Sequence, residues 1–382
     1  MKKVGVIGCG VIAEIYVNDF QECYNDRIEV VACQDIVDVK AAEFARKFNI
    51  PHACETIEKL LEIDEIDIVM NLTIPAVHTE INKMILNAGK HVYCEKPLGS
   101  SLEEAKETIA LAKEKGLRVT CAPDTLLGAS MQTCRKLIDD NVIGDVFAVA
   151  VNITGYGPET WHPNPHFLYQ KGAGPTMDMA PYAMASLVNF FGPMEKLQCM
   201  SCKPFNKRYI YSMPHRGEYM DVEVDTVYAA NAVMSSGIVV NMNMTFDYWK
   251  DSLPCFEIYG TQGTLSIPHP ADFKGEIKFF RANGIIDSLE GRGVLEDKDE
   301  WHTLPLMYTG SIGNRRGIGV VDMAAALDNG RDPRLNEEFC LHCLEICLAF
   351  EKASASGETY HFETSCTRPA PMPLSLNVAC TD

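Results

Sequence analysis

Apolar positions along residues 1–123 recur with two alternating periods. Short runs rich in β-branched residues, KKVGVIG, IEVVACQ, IDIVMNL, KHVYCEK and LRVTCAP, read as buried strands. Between them lie stretches whose apolar positions step by three and four: VIAEIYVNDF, KAAEFARKFNI, AVHTEINKMILNAG and SLEEAKETIALAKEKG, with ETIEKLLEI as a shorter one. That spacing gathers the apolar side chains on one helical face. Gly89 and Gly116 supply helix stops, and Ser101 with Glu104 has capping-box spacing. Strand and helix in turn predict an α/β doubly wound parallel sheet, which binds ligands at the carboxyl ends of its strands.

Beyond residue 124 the pattern changes. TLLGASMQTCRKLIDDNVIG predicts one helix ending at Gly144, and DVFAVAVNITG predicts a strand. The strand enters a loop of glycine, proline and aromatic residues, YGPETWHPNPHFLYQKGAGP, followed by a helix with Pro181 at its first position. VDTVYAANAVMSSGIVVNMNMTFDYW predicts two long strands around SSG, and FEIYGTQGTLSIP a hairpin turning at TQG. GSIGNRRGIGVVDMAAALDNG starts as a glycine-rich loop and becomes a helix, and the tail after residue 361 has no periodicity. Two domains follow, 1–123 and 124–382, the second an α+β unit on an open, mainly antiparallel sheet whose exposed face can serve oligomerisation.

Composition narrows the function classes. A chain of 382 residues is long enough for two cores, and a net charge of -18 argues against nucleic-acid and anionic-membrane surfaces. No apolar run approaches the ~20 residues that span a bilayer. The opening MKKVGVIGCG is too short and too glycine-broken for a signal peptide, so a cytoplasmic location is expected. Fifteen scattered cysteines in apolar contexts read as reduced core thiols. Cys199 and Cys202 make an isolated C-x-x-C, and Cys340, Cys343 and Cys347, beside His342, fall on one helix face as a core stripe. Neither supplies four evident ligands, so no metal is expected.

The first strand is followed by Gly8-x-Gly10-x-x-Ala13 and a helix, and the second strand ends at Asp35. In that context the pattern is a dinucleotide fingerprint. Gly8 permits the tight turn, Gly10 admits the pyrophosphate, and Ala13 lets helix approach strand. The first helical N–H groups, from Val11 and Ile12, face the phosphates. Asp35 would accept from ribose hydroxyls and oppose a 2′-phosphate, which favours NAD over NADP unless Arg46 or Lys47 swings in.

Together with this fingerprint, NLTIPAVH at 71–78 and EKP at 95–97 resemble the Gfo/Idh/MocA oxidoreductase family, the relatives of glucose–fructose oxidoreductase and inositol dehydrogenase. The resemblance covers essentially the whole chain. It implies cofactor contacts from Asn71, Thr73, Pro75, His78, Glu95 and Lys96. It also implies nicotinamide-dependent hydride transfer on a hydroxyl or carbonyl carbon, usually of a sugar or polyol. The second domain's sheet is implied to cover the nicotinamide and to form a homo-oligomer, dimer or tetramer.

The candidate chemistry centres on GPTMDMAPYAMASL, where Asp178 precedes Tyr182 by four residues. The family pattern usually has histidine in place of Tyr182; a tyrosine branch exists among enzymes similar to glucose–fructose oxidoreductase and dimeric dihydrodiol dehydrogenase. A free phenol titrates near ~10, and a helix N-terminus together with a nearby Lys96 ammonium favours the phenolate. Tyr182 is the expected proton acceptor, with Lys96 holding the oxygen and Asp178 orienting substrate or Lys96. The plainer alternatives are Asp178 as a helix cap, Tyr182 as a half-buried aromatic, and Lys96 paired with Glu95 or a neighbouring carboxylate. Trp161, His162 and Tyr156 form the expected substrate lip, His162 being a competing base or a surface group. Arg315 and Arg316 either reach the substrate or cap neighbouring carboxylates. The expected substrate is a sugar or glycoside, with aromatic diols and a cofactor-binding sensor as rivals.

Overall fold

A computed structural model describes residues 1–250, 252–281, 300–308 and 315–374. The start of the glycine-rich loop at 310–314 and the tail beyond 374 lie outside the described residues. The chain divides into two compact units. One comprises Met1–Ala129, Tyr308–Leu344 and the tail from Pro369; the other comprises Ser130–Met307 and Glu345–Arg368.

The first unit holds strands β1 (Lys2–Ile7), β2 (Ile28–Gln34), β3 (His52–Cys54), β4 (Ile68–Asn71), β5 (His91–Cys94) and β6 (Val119–Cys121). They form one sheet in the order β3-β2-β1-β4-β5-β6, all parallel. Its strands are buried on both faces, as their continuous apolar runs require. The order reverses between β1 and β4, and the crevice at that switch point is where such sheets take ligands. The capping box forms only in half. Ser101 Oγ accepts from Glu104 N–H at 3.2 Å, but the Glu104 carboxylate accepts from Ser100 and Thr79 instead.

Residues from the last third complete this unit. Helix Ile318–Asn329 is buried along most of its length, and Thr120 Oγ1 reaches Met323 Sδ at 3.3 Å. The Arg118 guanidinium bridges Glu337 at 2.9 and 2.8 Å and Asp332 at 2.6 Å. Fully buried Asp124 accepts from the N–H groups of Gly317 and Gly319 at 2.8 and 3.2 Å. A Cβ on Gly319 would stand 2.7 Å from the Tyr93 hydroxyl, so this close approach requires glycine.

The helix expected over 125–144 is instead a 3-10 turn, Thr125–Leu127, and a separate helix, Ala129–Asp139. Gly128 is extended between them, and Asn141 at φ 58° and Gly144 at φ 72° end the element in left-handed geometry.

The second unit carries β7 (Val146–Thr154), β8 (Met194–Cys202), β9 (Lys207–Tyr209), β10 (Tyr219–Asp221), β11 (Val227–Met234), β12 (Val239–Thr245), β13 (Phe256–Gly260), β14 (Gly263–Ile267), β15 (Ile277–Arg281), β16 (His302–Leu304) and β17 (Tyr360–His361). Among the described residues, nine of these form one sheet in the order β16-β15-β14-β13-β7-β12-β11-β8-β17. Its pairings are antiparallel except β7 with β12. Alternate residues of β11 and β12 point inward, where Tyr228 meets Phe350 and Phe190 meets Phe256 edge to face. Apolar Met200, Phe147 and Val239 remain exposed. β9 and β10 form a separate hairpin that the sequence pattern did not announce.

Candidate active site

The fingerprint in the first unit is built by the backbone. Gly8 has φ 94°, and a Cβ there would lie 2.7 Å from the Leu72 carbonyl oxygen, so packing of β1 against the β4 loop demands glycine. Gly10 differs: its φ is -83°, open to any residue, and a Cβ would meet no protein atom within 4 Å. The missing side chain therefore leaves room for something other than protein. Helix Val11–Cys23 begins there with no side-chain cap, so its first-turn N–H groups, Val11 and Ile12 among them, remain for an anion.

Asp35 is fixed at the end of β2. It accepts from Cys9 N–H and Val37 N–H, each at 2.9 Å, which aims the carboxylate beside the glycine turn. Three apolar side chains stand in solvent around this turn and the β4 loop: Val11 at 77 %, Ile36 at 95 % and Ile74 at 67 % exposure. A dinucleotide matches this donor set, with amide donors for phosphates, a carboxylate for ribose, and apolar cover for the flat rings.

The two loop motifs hold each other's shape. Asn71 is fully buried; its amide donates to the His78 carbonyl and Asn82, and accepts from Thr73 N–H and hydroxyl. His78 is fully buried as well, with Nδ1 2.7 Å from the Pro97 carbonyl oxygen and Nε2 3.1 Å from that of Thr73. One ring thus ties NLTIP to EKP, and two carbonyl acceptors call for a ring protonated on both nitrogens. Burial opposes that charge, but the Cys94 sulfur and the two carbonyls outweigh it and raise His78 to about 9. Burial likewise opposes a Cys94 thiolate, which the Cys121 thiol and the His78 ring nevertheless hold down to about 5. Asn71 and His78 therefore shape the loop from inside, while Thr73, Pro75 and Lys96 reach its surface. Glu95 is buried and accepts from the Tyr16 hydroxyl at 2.9 Å and Lys96 N–H at 3.0 Å; the peptide Lys96–Pro97 is cis.

In the second unit a cleft of about 270 Å³ brings together Tyr156, Trp161 and Asp178, all three read from sequence, with Thr154, Met179 and His269. Asp178 closes the short helix Pro175–Asp178. Helix Ala180–Phe191 starts from Met179 with no side-chain cap, and Pro181 is its second residue. Tyr182 is the third residue of that helix, within its first turn, and at 8 % exposure it is more deeply buried than the plainer half-buried alternative supposed. The Tyr182 carbonyl accepts from Ser186 Oγ at 2.9 Å. Lys96 belongs to the first unit; Asp178 and Tyr182 belong to the second.

A buried charge cluster, absent from the sequence reading, shapes the cleft wall. Arg208 donates to Glu159 at 2.6 Å, to Asp247, to the Tyr156 carbonyl at 2.5 Å and to the Phe246 carbonyl at 3.2 Å. Tyr169 donates to the same Glu159, and Thr226 to Asp247. Two carboxylates and one guanidinium thereby fix two wall residues, Tyr156 and Phe246. No local pattern could have signalled this, because Arg208 lies 49 residues from Glu159 and 39 from Asp247. His269 was missed too. Burial lowers its proton affinity, and Nδ1 accepts from Ala271 N–H at 3.1 Å, leaving the neutral ring's proton on Nε2 as a donor.

The remaining candidates separate. His162 is half-buried between Trp161 and Phe167, and its Nδ1 accepts from Asn164 N–H at 3.0 Å, which occupies the nitrogen a base would use. Arg315 sits in the first unit and takes the carboxylate-capping alternative, pairing with Asp19 at 3.2 Å and Glu22 at 3.3 Å. Cys199 is buried and Cys202 exposed on one strand, since positions three apart face opposite ways, so they cannot share an ion. Cys340, Cys343 and Cys347 are buried, as a core stripe requires.

Residues 2–122 match the description "Oxidoreductase family, NAD-binding Rossmann fold", and residues 131–266 match the "GFO/IDH/MocA C-terminal domain". The chain belongs to the Gfo/Idh/MocA oxidoreductase family. Its first unit is that family's NAD-binding fold. Oxidoreductase P35 of Formosa agariphila is 25 % identical over 74 % of this chain and 83 % of its own length. The trans-1,2-dihydrobenzene-1,2-diol dehydrogenase of Mus musculus is 27 % identical over 49 % of this chain and 56 % of its own. Among solved structures, levoglucosan dehydrogenase in complex with NADH and L-sorbose has a TM-score of 0.79 at 19 % identity, covering 95 % of this chain and 99 % of that one. At that identity the likeness establishes the fold. Among the described residues no helix is long and apolar enough to cross a membrane.

Proposed function

We propose that this oxidoreductase transfers a hydride between a secondary alcohol of a sugar or glycoside and NAD, giving a keto-sugar in the oxidative direction. The observation that carries the substrate class is the cleft of the second unit. It offers two exposed aromatic faces, Tyr156 and Trp161, beside a carboxylate, Asp178, the combination that binds a ring with one apolar face and a rim of hydroxyls.

Bound NAD+ supplies the hydride acceptor. Tyr182 takes the proton that the substrate hydroxyl loses, a role suited to a phenol in the first turn of a helix. Lys96, placed after a buried strand of the NAD-binding unit, is the cation that unit offers to the reaction, and an ammonium favours an oxygen anion. Asp178 accepts from a neighbouring hydroxyl and sets which carbon is presented. His269 donates through Nε2 to another ring oxygen.

The relatives named as dihydrodiol dehydrogenases favour a second reading, a trans-dihydrodiol substrate held by the same aromatic faces. One assay separates the two readings. The protein is incubated with NAD and, in parallel, free sugars, aryl glycosides and cyclic aromatic diols, while nicotinamide absorbance at its reduced band is followed. Turnover of sugars or glycosides supports the first reading, and turnover of diols alone replaces it with the second. Absence of turnover across the whole panel, with NAD bound, would mark a cofactor sensor. The exposed apolar residues Met200 and Val239, on one face of the sheet, support a homo-oligomer through that face, which light scattering on a Met200→Glu variant checks.

A further inference from the structure

Outside the cleft, three metal-binding side chains from two chain segments meet. His166 lies in the 3-10 turn His166–Tyr169 of the lip segment, and His215 and Glu218 lie on the turn joining β9 to β10. One donor atom from each lies within 4.8 Å of the others. The two imidazoles meet edge to face at 5.5 Å, and His215 Nδ1 stands 3.2 Å from both Glu218 carboxylate oxygens. A His–Glu hydrogen bond accounts for two of these groups. It gives no reason for a second imidazole at the same point.

The backbones that carry the three groups are held independently of them. Across the hairpin, Ile210 N–H donates to Glu218 O at 2.9 Å and Gly217 N–H to Ile210 O at 3.0 Å, with Gly217 at φ 101°. On the other side, Tyr211 and Ser212 N–H donate to Glu159 O at 3.0 and 3.1 Å, and Ser212 Oγ donates to His162 O at 2.5 Å. These bonds join hairpin to lip on one side of the lip segment. The three donors stand at a second meeting point of the same two segments.

We propose that His166, His215 and Glu218 form a site for a zinc-class divalent cation that staples the lip segment to the β9–β10 hairpin. Two imidazoles and one carboxylate are the donor set of Zn2+ and its first-row neighbours; Ca2+ and Mg2+ require more oxygens, and Cu+ prefers sulfur. Donors around a tetrahedral ion with bonds of about 2.0–2.2 Å stand roughly 3.3–3.5 Å apart. His215 and Glu218 are already near that separation, and rotation of the His166 ring supplies the third ligand. Water takes the fourth position, since all three groups are solvent-accessible. The ion would lock the segment that carries Trp161 without touching the cleft. The inference does not depend on the proposed substrate.

The test uses the full chain without an affinity tag, reduced and stripped with EDTA, titrated with Co2+ and then Zn2+. We expect about one equivalent of Co2+ to give visible d–d bands with no sulfur-to-metal charge-transfer band, and Zn2+ to displace it and raise Tm. His166→Gln and His215→Gln should each weaken Co2+ binding ~10-fold or more and abolish the zinc-dependent rise in Tm, with metal-free Tm unchanged. The proposal is overturned if the wild type binds no Co2+, or if the double variant keeps the same bands and the same rise in Tm. A charge-transfer band would assign the metal to the cysteines instead and overturn it equally.

Discussion

The nucleotide cradle and the proposed substrate cleft present polar groups to a small molecule by opposite means. In the cradle the donors are backbone amides aimed by a turn and a helix start, and almost every decisive residue lies between Gly8 and Asp35. In the cleft the wall is set by side chains, and Tyr156 and Phe246 are held by one guanidinium pinned between carboxylates far away in sequence. A site made from contiguous backbone depends on a few conformational permissions. A site made from buried charge depends on every member being present, because an unpaired partner left inside is expensive.

The largest effect is expected at the proposed proton acceptor. Tyr182→Phe should lower kcat by about 10²–10⁴ while the NAD dissociation constant stays within about twofold; unchanged turnover would remove the phenol from the mechanism and leave the cleft a binding surface only. Next, Arg208→Met should destabilise the protein by about 3–5 kcal/mol, because Glu159 and Asp247 lose their counter-charge in a buried place. Chemical denaturation measures this, and a change below ~1 kcal/mol would mean the cleft wall does not depend on buried charge.

The two glycines sharpen the contrast within the cradle itself. Gly8→Ala should cost about 1–3 kcal/mol through its positive φ and the clash with Leu72 O, seen as a lower Tm. Gly10→Ala should leave Tm unchanged and weaken NAD binding, since only the ligand would meet the new methyl group. If both variants lost stability equally, the space above Gly10 would not be a ligand's.

The last effect concerns pH. His78, raised to about 9 from an unfolded value near 6.5, adds stability that is full below about 6.5 and lost as pH climbs through 9. Cys94, lowered to about 5 from near 8.5 unfolded, adds stability that is full above about 8.5 and lost as pH falls through 5. Between about 6.5 and 8.5 the two slopes cancel, so the pair should contribute a plateau flanked by losses on both sides. In Cys94→Ala the rise between pH 5 and 6.5 should vanish in urea titrations run at stepped pH.

What could be read from the chain follows the same division. Strand runs, the Gly8-x-Gly10-x-x-Ala13 turn and Asp35 are local patterns, and the parallel sheet and NAD-binding fold appeared as expected. The hairpin of β9 and β10, the Arg208 cluster and His269 carry no short-range signature; they exist because distant segments pack together. Arg315 had two local readings, and only the nearness of Asp19 and Glu22 decided between them. The two-helix break at Gly128 was hidden because a glycine inside an apolar run does not say which conformation it adopts.

The return of residues 308–344 to the amino-terminal unit has a consequence for biosynthesis. The loop that follows β6 presents a carboxylate, Asp124, whose amide partners Gly317 and Gly319 leave the ribosome almost two hundred residues later. The nucleotide lobe therefore waits, unfinished, while the whole sheet lobe is made. A nascent chain arrested before that return should be held by chaperones or degraded, however complete its glycine turn.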